Sequence, residues 1–221
     1  MGIQLHTPKI EHLGAGELAQ FLQLPVAIIG DELNRSQIAH AAIRPLQRGM
    51  RIAGQALTVE CMAGDNSALH YCLEACWPGA VIVCDARAHI DTAVWGEVMH
   101  TCAQRQGIGA VAIDGAIRDS SALAASALPV YTRGICPRGP HKGWGGSILG
   151  PIQFGGVAVN PGDLIVGDDD GLIIVRLTQI AGLVERCRAR IAREAAVLQK
   201  LRGGETTVQA LEMPPIHNIG R

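Results

Sequence analysis

The chain has 221 residues and a mass of 23.3 kDa, with 48% hydrophobic residues, 18% charged residues and a mean hydropathy of +0.20. That balance supplies enough apolar surface to offset chain entropy, which excludes intrinsic disorder. With 19 Lys and Arg against 20 Asp and Glu, a formal charge of −1 and only 3% aromatics, no nucleic-acid footprint, base-stacking platform or attraction to anionic membranes is expected.

The seven cysteines (Cys61, Cys72, Cys76, Cys84, Cys102, Cys136 and Cys187) form no CxxC pair and no Cys/His quartet at zinc spacing. Most lie in apolar segments, where a thiol behaves as a small hydrophobe, so a reducing, cytoplasmic setting is expected. The N-terminal MGIQLHTPKIEHL lacks a signal-peptide core, and no apolar run approaches the ~20 residues needed to span a bilayer.

In chain order, the first thirty residues read as amphipathic helices, with Leu18, Phe21 and Leu22 at helical spacing. IAGQALTVEC (52–61) predicts a strand, and 67–76 a helix through Leu69, Cys72, Leu73 and Cys76. After the Pro78-Gly79 turn, the β-branched run 80–84 predicts a buried strand ending at Asp85. A second such unit follows: a helix over 96–105, then the strand GAVAI (109–113) running into Asp114-Gly115. A helix near 121–127 and a short strand at 130–131 lead into a Gly- and Pro-rich excursion over 134–156. Beyond it lie a strand at 157–159, the turn Asn160-Pro161-Gly162-Asp163, and a hairpin of 164–166 with 172–175 around Gly167–Gly171. A helix from about 177 to 201 and a polar tail, 203–221, complete the chain. Two strand–helix units and a terminal hairpin predict an α/β fold with a mixed sheet, as one domain over 1–221.

The chemistry is expected where parallel strands end, because ligands sit outside their carboxyl ends. Gly115-Ala116-Ile117-Arg118-Asp119 follows one such strand. Asp119 offers oxygen to a hard divalent cation, and Arg118 a fixed fork to a carboxylate or enolate. The same pair would serve equally as a surface ion pair capping the next helix. Trp95-Gly96-Glu97-Val98-Met99 sits at a helix start, where free amides favour a small carboxylate and Glu97 suits the helix dipole. Asp85 falls in the same neighbourhood, with Arg87 and His89 on the loop after it. Gly64-Asp65-Asn66 suits a helix N-cap as well as a site. The run Asp168-Asp169-Asp170 lacks the alternation of a calcium loop and reads as a turn. No GK[ST], GxSxG or HExxH motif is present.

In this order, Gly64-Asp65-Asn66, VIVCD, Trp95-Gly96-Glu97, the run from Gly109 to Asp119, and Val159–Asp163 with Asp168–Gly171 resemble the RraA-like family over roughly residues 25 to 200. That family includes class II pyruvate aldolases acting on 4-hydroxy-4-methyl-2-oxoglutarate. The resemblance implies a swivelling β/β/α-type domain assembled as homotrimers or hexamers. It further implies Mg²⁺ or Mn²⁺ at Asp119, pyruvate contacts from Arg118 and substrate binding by the backbone of Gly96, Glu97, Val98 and Met99. Glu97 would position water, and Glu194 would reach a neighbouring subunit's metal shell through water. The implied activity is cleavage of a small 2-keto acid to pyruvate, with oxaloacetate decarboxylation possible through the same enolate.

Two departures stand out. Glu97 replaces the aldolases' Asp, and Ala86-Arg87-Ala88-His89 replaces a Gly-rich stretch. Some relatives instead bind ribonuclease E and inhibit it, which gives a non-catalytic alternative. A methyltransferase role finds no strand–GxGxG–helix cofactor signature here.

Overall fold

A computed structural model describes residues 2–217. It opens with β1 (Ile3–Leu5), α1 (Ala15–Leu22), α2 (Val26–Glu32) and β2 (Arg44–Pro45). The central run is β3 (Ile52–Cys61), α3 (Ser67–Cys72), β4 (Val81–Asp85), β5 (Ala93–Trp95), α4 (Glu97–Arg105), β6 (Ala110–Ile117), α5 (Ser120–Ala124) and β7 (Val130–Ile135). It continues with β8 (Gly146–Ile148), β9 (Ile152–Phe154), β10 (Val157–Val159), β11 (Leu164–Asp168) and β12 (Gly171–Val175), then α6 (Leu183–Arg202) and α7 (Thr207–Ala210).

Ten strands join one mixed sheet, with the path β1-β8-β3-β4-β6-β7-β2; β11 also pairs β3 and β12, and β5 pairs β6. Strands β3, β4, β6 and β7 are mutually parallel, so their carboxyl ends face one edge. All five residues of β4 and all eight of β6 are buried. That is why Val81–Cys84 and Ala110–Ile113 read as unbroken apolar runs rather than as alternating strands.

Three apolar layers follow from side-chain alternation. Leu57, Val59, Ile82, Cys84, Val111 and Ile113 pack under α3, α4 and α5. Ala56, Val81, Val83, Ala110 and Ala112 face the opposite way, against Phe154, Val159 and Ile165. On the outer side of β11–β12, Val166 and Ile173 meet α1, α2 and the start of α6 through Phe21, Ile29 and Val184. The α/β class, the mixed sheet and the C-terminal helix are those expected. No helix among the described residues is long and apolar enough to cross a membrane.

Several bounds differ from the sequence expectation. The strand read as 109–113 runs on to Ile117, because β5 and β7 both pair with its second half across a register shift. The excursion 134–156 contains β8 and β9, and β7 extends to Ile135. Within the segment read as wholly helical, residues 3–5 add a parallel strand to β8. The C-terminal helix starts at Leu183, after a separate 3-10 turn over Leu177–Gln179, not at 177.

The apolar stripe of α6 is also only half used. Val184 and Cys187 are buried, whereas Ile191 is 37% and Leu198 49% exposed. A helix of twenty residues spans about 30 Å, and its partner α2 has only seven residues, so the far half outruns the body. In the tail, α7 is helical with Ala210 buried; residues 218–221 lie outside the described part.

Candidate active site

Arg118 and Asp119 leave the carboxyl end of β6 directly, and Gly96 lies between β5 and α4 beside them. The adjoining segments are stitched together by the Arg118 amide, which donates to the Trp95 carbonyl at 2.9 Å. Asp119 takes φ +57°, a left-handed conformation that Asp tolerates better than most residues. This turn brings its Oδ2 within 3.0 Å of the Glu97 amide, which donates to it, and 3.5 Å from Arg118 Nε. Of the backbone expected to bind substrate, the Glu97 amide is thus already engaged. The His100 amide takes the Gly96 carbonyl, so the first-turn amides of Val98 and Met99 have no acceptor within α4.

Two glycines make this approach possible. A Cβ on Gly96 would lie 2.7 Å from Asp119 Oδ2 and 3.0 Å from Arg118 Cγ. A Cβ on Gly139 would lie 2.8 Å from Arg118 Nη1. Gly96 was singled out by sequence; Gly139 was not, since it sits in a stretch that reads as featureless loop.

Arg118, Gly96, Val98 and Met99 border a cavity of about 220 Å³ together with Asn66, His70, Trp95, Pro140 and Lys142. Sequence reasoning singled out Trp95 and missed His70, Pro140 and Lys142. His70 had the look of a helix residue in a mostly apolar repeat, and Lys142 sits in the excursion. Burial, followed by the nearby Lys142 ammonium, pushes the His70 pKa down, while Asp65 opposes the shift.

Gly64-Asp65-Asn66 turns out to fasten one wall of the cavity. Asp65 is fully buried; its Oδ1 accepts from the Ser67 amide at 2.8 Å and its Oδ2 from the Trp144 amide at 3.1 Å. The His141 amide donates to the Gly64 carbonyl at 2.8 Å, and the Gly143 amide to Ser67 Oγ at 2.6 Å. Asn66 is 4% exposed and donates through Nδ2 to the Val94 carbonyl at 3.2 Å, while its Oδ1 is buried with no partner.

Asp85 does not join this group. Its Oδ1 accepts from the Arg87 amide at 2.8 Å and its Oδ2 lies 3.6 Å from Arg87 Nη1, a guanidinium that also pairs with Glu60. By strand alternation its side chain points to the face opposite α3 and α4. Burial holds its carboxyl above the ordinary range. The loop after it carries Arg87 and Ala88 at φ +61° and +54°, where the resemblance leads one to expect glycines. His89 contributes its backbone: its carbonyl accepts from the Ala116 amide and its amide donates to the Ala86 carbonyl, both at 3.1 Å.

The three aspartates 168–170 close a two-residue hairpin turn. Asp168 accepts from the Val26 and Asp170 amides, and Asp169 from that of Gly49, so they serve backbone rather than a cation. Glu194 is 54% exposed on α6, with Oε1 3.5 Å from Arg190 Nε.

Among the described residues no group of three His, Cys, Asp or Glu side chains stands close enough to hold a metal by itself. The donors present nonetheless suit a hard, largely hydrated ion, which needs only one or two protein carboxylates. Asp119 Oδ1 has no hydrogen bond among the described residues, and the orphaned Asn66 Oδ1 is a buried acceptor that bound water or a ligand hydroxyl would satisfy.

A mixed α/β sheet with an Arg-Asp pair at the end of a parallel strand defines the class of protein. Residues 26–174 match the model of the RraA-like family, described as Aldolase/RraA, and the chain belongs to that family. It is 32% identical over 200 residues, 90% of this chain and 95% of the other, to a protein of Halalkalibacterium halodurans provisionally named 4-hydroxy-4-methyl-2-oxoglutarate aldolase. A solved but uncharacterised protein from Pseudomonas syringae superposes with TM-score 0.77 at 26% identity, covering 91% of this chain and 99% of that one. RraAS2 from Streptomyces coelicolor, described as an unusual member of the RNase ES inhibitor RraA family, superposes with TM-score 0.75 at 23% identity, covering 86% and 98%.

Proposed function

We propose that this chain is a divalent-metal-dependent lyase that releases pyruvate from a small 2-keto acid, and that it decarboxylates oxaloacetate through the same enolate. The observation that carries the reading is the apposition of Arg118 and Asp119 with the start of α4 beside one small cavity. At about 220 Å³ the cavity is below the roughly 300–1,000 Å³ of drug-sized sites, which suits a short acid.

Cleavage breaks the carbon–carbon bond beyond the 2-keto group and moves its electron pair onto the keto oxygen. The substrate hydroxyl would pass its proton to the water held beside Glu97, and that water would later return a proton to the enolate carbon. Asp119 would hold Mg²⁺ or Mn²⁺, which supplies Lewis acidity at the keto oxygen when bound. Arg118 places a planar cation where that negative charge develops. The Val98 and Met99 amides take the substrate carboxylate at the helix start. Glu97, exposed at the first turn, holds the water from which the enolate carbon takes its proton. No lysine is needed for a Schiff base.

We read residues 1–221 as one cytoplasmic domain acting as a homotrimer or hexamer, with Glu194 of a neighbouring subunit completing the metal's water shell. Ile191 and Leu198, apolar and exposed on the far half of α6, support that assembly.

The test is a lactate-dehydrogenase-coupled assay for pyruvate from 4-hydroxy-4-methyl-2-oxoglutarate and from oxaloacetate, with Mg²⁺ and with EDTA. Turnover is expected only with metal, and Asp119→Asn should abolish it, since Asn keeps the left-handed turn but not the charge. Full activity in EDTA or in Asp119→Asn would overturn the metal mechanism. A protein that turns over neither substrate would return the family's regulatory members as the better guide.

A further inference from the structure

The second half of β6, which delivers Arg118 and Asp119, is out of step with the strand beside it. Ile113 pairs with Thr132 and Ala116 with Gly134, so Asp114 and Gly115 stand together against Arg133 of β7. That is a β-bulge, a feature rare between parallel strands and common beside functional sites, where it re-aims the residues that follow. On the other edge β4 ends at Asp85, opposite Asp114, and β5 takes over from Ala116.

Side chains from β6 and β7 hold the bulge in place. Asp114 is 6% exposed; its Oδ1 accepts from Arg133 Nε and its Oδ2 from the Gly155 amide at 2.8 Å. Arg133 Nη1 donates to His40 Nδ1 at 3.3 Å, and the His40 amide donates to the Gly155 carbonyl at 2.9 Å, which closes a ring. Thr132, also buried, has its Oγ1 at 2.9 Å from the Gly115 carbonyl and at 2.9 Å from that of Gly134. Only glycine fits at 115, since a Cβ there would lie 2.7 Å from that of Ala86 and 3.1 Å from the His89 carbonyl oxygen. Asp114, Thr132 and Arg133 do not border the cavity.

Resting on the reading of Arg118 and Asp119 as the reacting pair, we infer that Asp114 and Arg133, helped by Thr132, are positioning residues that fix the bulge and thereby aim that pair at the start of α4. A buried ion pair adds little net stability over an apolar pair of similar volume. What it supplies here is register, because it matches one residue of β7 to the bulged residue of β6. Without it β6 can pair straight along β7. A slip of one residue moves Arg118 and Asp119 by about 3.3 Å along the strand and turns their side chains to the other face. Asp119 Oδ2 would then lose the Glu97 amide, which it meets at 3.0 Å.

The test is the double variant Asp114→Asn with Arg133→Met, which removes the pair without leaving either charge buried alone and keeps an acceptor for the Gly155 amide. The Glu97 amide reports the aim of Asp119 directly, with or without turnover. Hydrogen exchange followed by NMR should show its protection lost in the double variant, while buried amides of β4 such as Val83 stay protected. In the pyruvate assay kcat should fall on the order of 10²-fold, as for a group misplaced by about an ångström, and far more than KM rises. Arg133→Lys, which keeps the ion pair, should retain most of both readings. Thr132→Val, a milder change, should move both in the same direction and keeps the test open if the double variant does not fold. Protection lost throughout β4 as well as at Glu97 would make the pair merely structural and overturn the inference. An unchanged Glu97 amide, or full kcat in the double variant, would overturn it too. A wild type that releases no pyruvate, with a Glu97 amide that still follows the pair, would remove the 2-keto acid reading and leave the register assignment standing.

Discussion

Gly139 faces Arg118 so closely that a methyl group on it would stand 2.8 Å from Nη1 of the guanidinium. The obstructed atom is the far end of a flexible side chain, so the fold tolerates the intrusion and the site does not. Gly139→Ala is expected to lower kcat roughly tenfold or more, in line with a mispositioned catalytic group, with unfolding free energy within about 0.5 kcal/mol of wild type. Urea denaturation beside the pyruvate assay separates the two effects. Arg118→Lys keeps charge but loses the fork, and should cost on the order of 10²-fold in kcat.

The proposed sharing of the site between subunits makes a distinct demand. Asp119→Asn and Glu194→Ala homo-oligomers should each be inactive. When their subunits are exchanged, some interfaces join two intact residues, and a fraction of activity should return. Absence of complementation, despite exchange shown by native mass spectrometry, would leave Glu194 as the partner of Arg190 on its own helix, worth only about 0.2–0.5 kcal/mol.

The loop after Asp85 stores strain. Ala88 sits at φ +54°, where an L-residue with a Cβ pays roughly 1–2 kcal/mol, and its amide is held to the Asp114 carbonyl at 3.0 Å. Ala88→Gly should therefore stabilise the protein by about 0.5–1 kcal/mol, raising Tm by about 1–4 °C. Arg87→Gly should gain less, since Arg87 also pairs with Glu60 and Asp85. Differential scanning calorimetry of the two variants decides the ranking.

His100 sets a pH dependence beneath the site. It is 2% exposed, with Nε2 2.6 Å from Ser126 Oγ and Nδ1 3.5 Å from the indole nitrogen of Trp95. An indole can only donate, so Nδ1 accepts and the neutral tautomer with the proton on Nε2 fits. Burial lowers its pKa below the ordinary 6.5. Between the folded value and 6.5 the unfolded chain binds the extra proton, so this contribution is complete above pH 6.5 and lost as pH falls through that window. Asp85 and Asp163, raised from 3.8 by burial, carry the opposite sign. Comparing wild type with His100→Gln isolates the histidine: the fall in urea-unfolding free energy from pH 7 to pH 5.5 should be smaller in the variant.

The sequence exposed those parts of the site whose signal is local. Gly96, Glu97, Arg118 and Asp119 stand at element ends marked by a change of periodicity, and strands β4 and β6 announce themselves as unbroken apolar runs. Gly139, His70 and Lys142 carry no such mark, because their roles come from contacts between segments far apart in the chain. The same blindness produced the error over Asp85. Its place at a strand end was readable, but the face its side chain takes depends on a register that only the neighbouring strands fix. Arg87 and Ala88 broke the family's glycine pattern, and the structure shows the price as two left-handed residues in succession.

The bond from the Trp144 amide to Asp65 joins positions 79 residues apart. The loop it closes contains α4 and the Arg-Asp pair, and closing so long a loop carries an entropic cost of its own. The cavity, lined by residues from Asn66 to Lys142, draws on nearly the whole of that stretch. A bound small acid favours only chains in which the loop has closed, and it stabilises them in proportion to the logarithm of its concentration. A ligand of this cavity would then protect the protein from local opening and proteolysis at the wall that Asp65 fastens.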